Sequence, residues 1–290
     1  MFQNDLMKGQ RILVTGGGTG LGKAMTERYM SLGADCVIWG RRSGVLEETA
    51  AELMAKTGGV CEAMAVDIRD PMAIEAAVEA IWDKAPLTGL VNNAAGNFVS
   101  RTEDLSPNAF NAIASIVMHG TFNVTNAVGK RWLEGGLKGN ILSIVTTWVW
   151  TGSAYVVPSA MSKAGVAAMT QSLAVEWGNR GIRLNAIAPG PFPTKGAWDR
   201  LMPGTGEGRD YIDTVPMKRV GEYGELANLA TFLMAPGADY VTGQIIAIDG
   251  GQMLTGGGTF SMLEQLTDDQ WQMMRAQVKS ANEASRKERG

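Results

Sequence analysis

Histidine and cysteine are scarce in this chain of 290 residues: His119 stands alone, and the cysteines are Cys36 and Cys61. Both cysteines fall in apolar, strand-like runs. They are expected to pack as small hydrophobes rather than as a disulfide, which suits a reducing, cytoplasmic setting. No metal site is expected. A large charge of one sign is also lacking: a net charge of −3 gives no electrostatic reason to expect a nucleic acid partner. No run is long and apolar enough to span a bilayer. Only about ten residues precede the first strand-like segment, so neither a membrane association nor a leader is expected. Linkers rich in Pro, Gly and Ser are missing, and one domain over residues 1–290 is expected, with a single sizeable core. What the chain has in plenty is glycine, 37 residues, clustered at strand ends where backbone approaches a ligand closely.

Strand-like and helix-like segments alternate throughout. The pattern predicts strands near 11–15, 35–39, 60–66, 88–92, 139–146, 182–188 and 244–249, short and apolar on both faces, as in a parallel sheet covered by helices. Helices are predicted near 20–32, 43–57, 71–84, 107–133, 155–178 and 222–234. The fold class is therefore α/β, a doubly wound seven-stranded parallel sheet of the Rossmann type. Ligands of such sheets bind beyond the carboxyl ends of the strands. Residues 191–220, broken by proline and glycine, are too long for a plain connection and are expected to form a lid. The tail, 251–290, is expected to dock through a helix starting at Thr267 that carries Trp271, Met273 and Met274.

Ile12-Leu13-Val14-Thr15 runs into Gly16-Gly17-Gly18-Thr19-Gly20-Leu21-Gly22, and a helical pattern begins at once. A strand that breaks into glycines and restarts as a helix presents backbone N–H groups to a pyrophosphate. Gly16, Gly20 and Gly22 suit the tight turn, the close approach and the helix–sheet packing. Where an NAD-binding chain would carry an acid, Arg41-Arg42 follow the second strand, which points to a 2′-phosphate and hence NADP. Asp67 and Ile68 end strand three, and Asp67 could cap the helix at Pro71. Asn92 and Asn93 end strand four in a turn suited to lie beneath a nicotinamide ribose.

With these pieces in order, the chain resembles the short-chain dehydrogenase/reductase family. The resemblance rests on Thr15 to Gly22, Val66-Asp67-Ile68, Asn92-Asn93-Ala94-Ala95-Gly96, Lys163 and Pro189-Gly190. Within that family it is most similar to the 2,4-dienoyl-CoA reductases, through Asn97-Phe98, Val156-Val157-Pro158-Ser159-Ala160, Pro189-Gly190-Pro191, Thr194-Lys195-Gly196-Ala197 and Asp269-Gln270-Trp271. The resemblance implies that Gly16, Gly18, Thr19, Gly20, Leu21, Gly22, Arg41, Asp67, Ile68, Asn93, Lys163, Pro189, Gly190 and Thr194 hold the cofactor. Asp67 and Ile68 would hold the adenine, the carboxylate at its amino group and Ile68 at its ring. Lys163 would take the ribose hydroxyls and Thr194 the carboxamide. Arg69 and Arg200 would meet the coenzyme-A part of the substrate, with Lys195 adding charge, although Arg69 could equally be solvated. Asn97, Phe98 and Trp148 would face the substrate cleft, and Phe192, Trp198, Met202 and Met217 the acyl chain.

The family pattern breaks at its proton donor. Its tyrosine, one helical turn before the lysine, is Ser159 here, and the upstream tyrosine of mitochondrial dienoyl-CoA reductases falls on Trp148. The remaining donors are His119, Thr146, Tyr155 and a water held by Lys163 and Ser159, although a lone helical histidine also suits a structural place. Reduction of an enoyl thioester returns its proton to carbon, so the missing phenol favours an enoyl over a ketone substrate. The expectation is an NADPH-dependent reductase of a conjugated enoyl thioester, like the 2,4-dienoyl-CoA reductases of unsaturated fatty acid oxidation, acting on an acyl-CoA as a homotetramer. The alternatives are a keto or alcohol oxidoreductase with a relocated donor, and a cofactor-binding protein with little catalysis.

Overall fold

The computed structural model describes residues 1–194, 212–256, 263 and 265–289. Seven strands form one parallel sheet: β1 (Arg11–Thr15), β2 (Asp35–Gly40), β3 (Cys61–Ala65), β4 (Gly89–Asn92), β5 (Gly139–Ile144), β6 (Ile182–Pro189) and β7 (Ile245–Ile248), in the order β3-β2-β1-β4-β5-β6-β7. The order reverses between β1 and β4. In an open sheet of this kind the point of reversal, a crevice beyond the carboxyl ends of the strands, is where ligands bind.

The apolar runs of the strands split by the two-residue period of a strand into two cores. Ile12 and Val14 face one side, with helices α1 (Gly20–Ser31), α2 (Ser43–Thr57) and, late in the chain, Tyr223–Met234. Leu13 faces the other, with α3 (Pro71–Trp82), Thr121–Glu134 and Val157–Gly178. Cys36 and Cys61 are in register on neighbouring strands, buried, and free. Burial pushes both thiols up, Cys61 to about 11, so neither is a ready nucleophile at neutral pH. Asp70, not Asp67, caps α3: its carboxylate accepts from Met72 N and Ala73 N, beside Pro71 in the first turn.

The segment predicted as a helix over 107–133 is helical without a break from Pro107 to Glu134, but it is not α-helical throughout. It divides into α4 (Pro107–Ala114), a π-helical turn (Ser115–Gly120) and α5 (Thr121–Glu134). At the end of that turn Gly120 lies flush against the chain leaving β3, where a Cβ would stand 2.8 Å from Ile68 Cγ1 and 2.9 Å from its carbonyl oxygen. A π-helical turn is wider than an α-helical one and takes up an extra residue. A short helix not predicted from the sequence, α6 (Trp148–Thr151), comes after β5 and ends at Gly152, φ +66°. Then come α7 (Val157–Gly178), with Pro158 in its first turn, α8 (Tyr223–Met234), α9 (Gln252–Thr255) and α10 (Asp268–Arg289). In α10, Trp271 and Met274 are half-buried while Met273 is exposed.

Candidate active site

The crevice is built around the turn after β1. Gly16 N and Gly17 N donate to Trp39 O (2.7 and 3.3 Å), so the chain bends over the end of β2. Gly16 and Gly20 have φ of +66° and +54°, a region open to glycine at no steric cost. A Cβ on Gly18 would stand 3.1 Å from Leu46 Cδ2, and one on Gly22 would collide with the Gly16 carbonyl oxygen. Thr19, extended, precedes α1, makes no side-chain cap, and no acid occupies the first turn. Leu21 packs into the core beside it. The start of α1 thus keeps its N–H groups and positive dipole end without an internal anion.

Thr15 ties this turn to β4. Its hydroxyl accepts from Asn93 N (3.0 Å) and Ala94 N (3.1 Å) and donates to Val91 O (3.3 Å). Asn93 Nδ2 donates to Thr15 O (3.1 Å) and Gly16 O (3.2 Å). The side-chain amide of Asn93 therefore holds the glycine turn itself, and its donors are engaged there. Nothing in the spacing announces Thr15 as the hub, although the residue lies inside the glycine motif. Asn92 is buried and donates to Thr125 Oγ1 (2.9 Å).

On the β2–β3 side, Asp67 and Arg69 form a close pair: Asp67 accepts from Arg69 N and Nε at 3.0 Å and from its Nη2 at 2.5 Å. Arg69, with a smaller contribution from exposed Arg41, holds the Asp67 carboxyl below its usual range. Arg41, Asp67 and Arg69 thus make one charged cluster beyond β2 and β3. Ile68 is buried against Gly120 and offers little free surface.

Lys163 lies on α7, 7 % exposed, and its Nζ donates to Ile144 O at the end of β5. Burial alone pushes its pKa down to about 8, and among the described residues no carboxylate pairs with it. Ser159, one turn earlier and also buried, faces the same side. Thr146 and Trp148 are half-buried just beyond β5, and Thr146 O accepts from Val149 N as α6 begins. Tyr155 is 60 % exposed with φ +64°, and its carbonyl accepts from Ser100 N (2.9 Å). That bond ties the segment after β4 to the approach of α7. The same segment holds Asn97 and Phe98, both half-buried, with Asn97 Oδ1 accepting from Phe98 N (2.9 Å).

His119 does not join this group. It is exposed and lines a groove with Met118, Phe122 and, from α7, Gly165 and Met169. Gly165 and Met169 lie about 200° and 240° around α7 from Lys163, so they line the groove from a different face of the helix; Val166, the third α7 residue there, is buried. A proton donor to the crevice is not found there.

At the far end, Pro189 closes β6 opposite Ile248, and Gly190 N donates to Ile248 O (3.0 Å). A Cβ on Gly190 would come within 2.6 Å of Asp249 Cβ, so β6 and β7 end in close contact. Thr194 reaches back across the crevice: its Cγ2 lies 3.2 Å from where a Gly20 Cβ would be. Phe192 is buried on Gly221 rather than lining an open cleft, a correction to its expected acyl contact, and Met217 is exposed. Lys195, Trp198, Arg200 and Met202 lie outside the described residues.

Two features thus meet at one sheet edge: an uncapped helix start behind a glycine turn, and a buried, unpaired lysine. A family model described as enoyl-(acyl carrier protein) reductase matches residues 16–253. The chain belongs to the short-chain dehydrogenase/reductase family. It is similar to a Caenorhabditis elegans protein named "Probable 2,4-dienoyl-CoA reductase 3", of the (3E)-enoyl-CoA-producing kind. The identity is 45 % over 259 residues, which are 87 % of this chain and 83 % of that one. A Bacillus subtilis (strain 168) protein named "Probable 2,4-dienoyl-CoA reductase", of the (2E)-enoyl-CoA-producing kind, is 40 % identical over 250 residues, 86 % of this chain and 98 % of that one. Among solved structures, a short chain dehydrogenase from Bacillus anthracis superposes with a TM-score of 0.78 at 41 % identity, covering 85 % of this chain and 97 % of that one. These relationships establish the fold and the oxidoreductase class, in a family that uses nicotinamide cofactors. Among the described residues no helix is long and apolar enough to cross a membrane.

Proposed function

We propose that this protein reduces a conjugated enoyl thioester, a 2,4-dienoyl-CoA, with NADPH. The observation that carries the reading is a buried lysine on α7, its Nζ on the carbonyl that ends β5, with a buried serine one turn earlier where a ketone reductase would hold a phenol. The described residues fit a phosphorylated dinucleotide. The uncapped start of α1 and the left-handed Gly16 and Gly20 suit a pyrophosphate, and the exposed Arg41 beyond β2 suits a 2′-phosphate. The named relatives support the substrate class.

When bound, the nicotinamide supplies a hydride. Lys163 serves the ribose hydroxyls, and its unpaired charge steadies the negative charge that develops on the thioester oxygen as a dienolate forms. Ser159 and Lys163 hold the water that returns a proton to carbon. The proton goes to carbon, so its donor need not sit at the carbonyl oxygen, where a ketone reductase places its phenol. Thr194 lies across from Gly20, in place to close over the nicotinamide end.

The test is consumption of NADPH at 340 nm with a 2,4-dienoyl-CoA and, in parallel, with simple ketones. Turnover of the thioester alone is expected; turnover of ketones alone would overturn the reading. Arg41→Ala should raise KM for NADPH by roughly 10–100-fold, the worth of one or two charge-assisted bonds, and leave KM for NADH nearly unchanged. Equal effects on the two cofactors would remove Arg41 from the 2′-phosphate site.

A further inference from the structure

We infer that Tyr223 is a positioning residue: its hydroxyl fixes residues 191–194 so that Thr194 is seated over the glycine turn, and through Thr194 it sets how tightly the dinucleotide is held. The inference rests on the proposed placement of that dinucleotide on the turn.

Residues 191 and 193 are both proline and carry no N–H, so their carbonyls are what the backbone offers for anchoring there. Both are taken. Gly221 N donates to Pro191 O (2.9 Å), and Tyr223 Oη donates to Pro193 O (2.7 Å). Between them Phe192 lies on Gly221, where any Cβ would run into its ring. One residue past the second anchor, Thr194 stands against Gly20.

The hydroxyl sits on a rigid mount. Tyr223 opens α8, whose start is a capping box between Glu222 and Glu225. Arg219 grips Glu225 with both guanidinium nitrogens (2.8 and 2.6 Å) and pushes that carboxyl down to about 2, so the mount holds across the neutral range. α8 packs along α1, and Arg28 Nε donates to Asn228 Oδ1 (3.1 Å) between them. The anchor on α8 and the target at the head of α1 are therefore parts of one packed pair. Residues 191–194 bridge that pair, and the phenol is the bridge's last fastening before Thr194. Burial raises the phenol above its ordinary value, so it remains a donor throughout the assay range.

The test uses the full chain with Tyr223→Phe, Thr194→Val and the double variant. NADPH Kd is measured by fluorescence titration, beside kcat, KM and melting temperature. Y223F should raise Kd and KM for NADPH about five- to tenfold, the loss of one hydrogen bond. It should keep kcat within about twofold and melt close to wild type, because only the hydroxyl is removed. The double variant should bind no more weakly than the weaker single one, since both act through one contact. Unchanged NADPH binding by Y223F, or losses that multiply in the double variant, would overturn the inference. Wild-type protein that binds no dinucleotide would overturn it together with the functional proposal. Normal wild-type binding with an indifferent Y223F would overturn the inference alone.

Discussion

Lys163→Met lowers kcat/KM for thioester reduction by about 10²–10⁴-fold, the range for loss of a group that handles a proton or its charge, and it also changes how stability responds to pH. Burial holds the folded-state pKa of Lys163 near 8, below the ordinary 10.5. Below pH 8 the lysine is charged in both states, and keeping that charge buried costs stability. Between pH 8 and 10.5 the unfolded chain binds more protons than the folded one, so the cost is relieved as pH rises. A shift of this size corresponds to roughly 3 kcal/mol. Denaturant titrations across that window should show wild type gaining on the variant by this order, and parallel curves would contradict an unpaired buried ammonium. Activity should run the other way. As Lys163 loses its proton above about pH 8, the charge proposed to face the thioester oxygen goes with it, and kcat should fall while the fold strengthens.

Gly22→Ala is the second large effect. The new methyl would collide with the Gly16 carbonyl oxygen and stand 2.6 Å from Asn93 Nδ2. Neither neighbour can yield cheaply: one is backbone, and the other is the amide that fastens Thr15 and Gly16. Overpacking of this kind costs about 1–3 kcal/mol. The distortion falls on the turn proposed to receive the pyrophosphate, so calorimetric NADPH affinity should drop by about a hundredfold or more, as for the loss of two or more charge-assisted bonds. Gly44→Ala is the control. Gly44 lies in α2 with nothing within 4 Å of a Cβ. Alanine there should stabilise by about 0.5–1 kcal/mol and leave binding alone. Equal behaviour of the two variants would take the glycine turn out of the site.

The sheet is legible in the sequence because each strand is a short apolar run bounded by turn residues, and a strand buried on both faces has no other way to be written. The turn at Gly16–Gly22 is legible for a related reason: closely packed backbone leaves its trace as glycine. The direction in which Asn93 spends its amide is not, because both a ribose and the carbonyls of Thr15 and Gly16 suit the same side chain. His119 enters as a donor by elimination, as the sole histidine, and its place in the chain does not say which way it points; the structure leaves it exposed on a groove with Met118 and Phe122. Tyr223 leaves no trace at all, since its partner Pro193 is thirty positions away and is recognised only through a backbone carbonyl. Arg69 suits solvent and ligand equally by its place in the chain, and the structure pairs it with Asp67.

The most direct measurement tracks isotope from cofactor and solvent into product. With NADPH deuterated at the transferable position and a 2,4-dienoyl-CoA in ordinary water, this protein should place one deuterium at C5, the far end of the diene. In heavy water with unlabelled NADPH, one deuterium should appear at C2 or C4, the two carbons at which a dienolate accepts a proton. Cofactor deuterium at the thioester carbonyl carbon, or no transfer to the thioester at all, would contradict hydride delivery to a conjugated enoyl thioester beside Lys163.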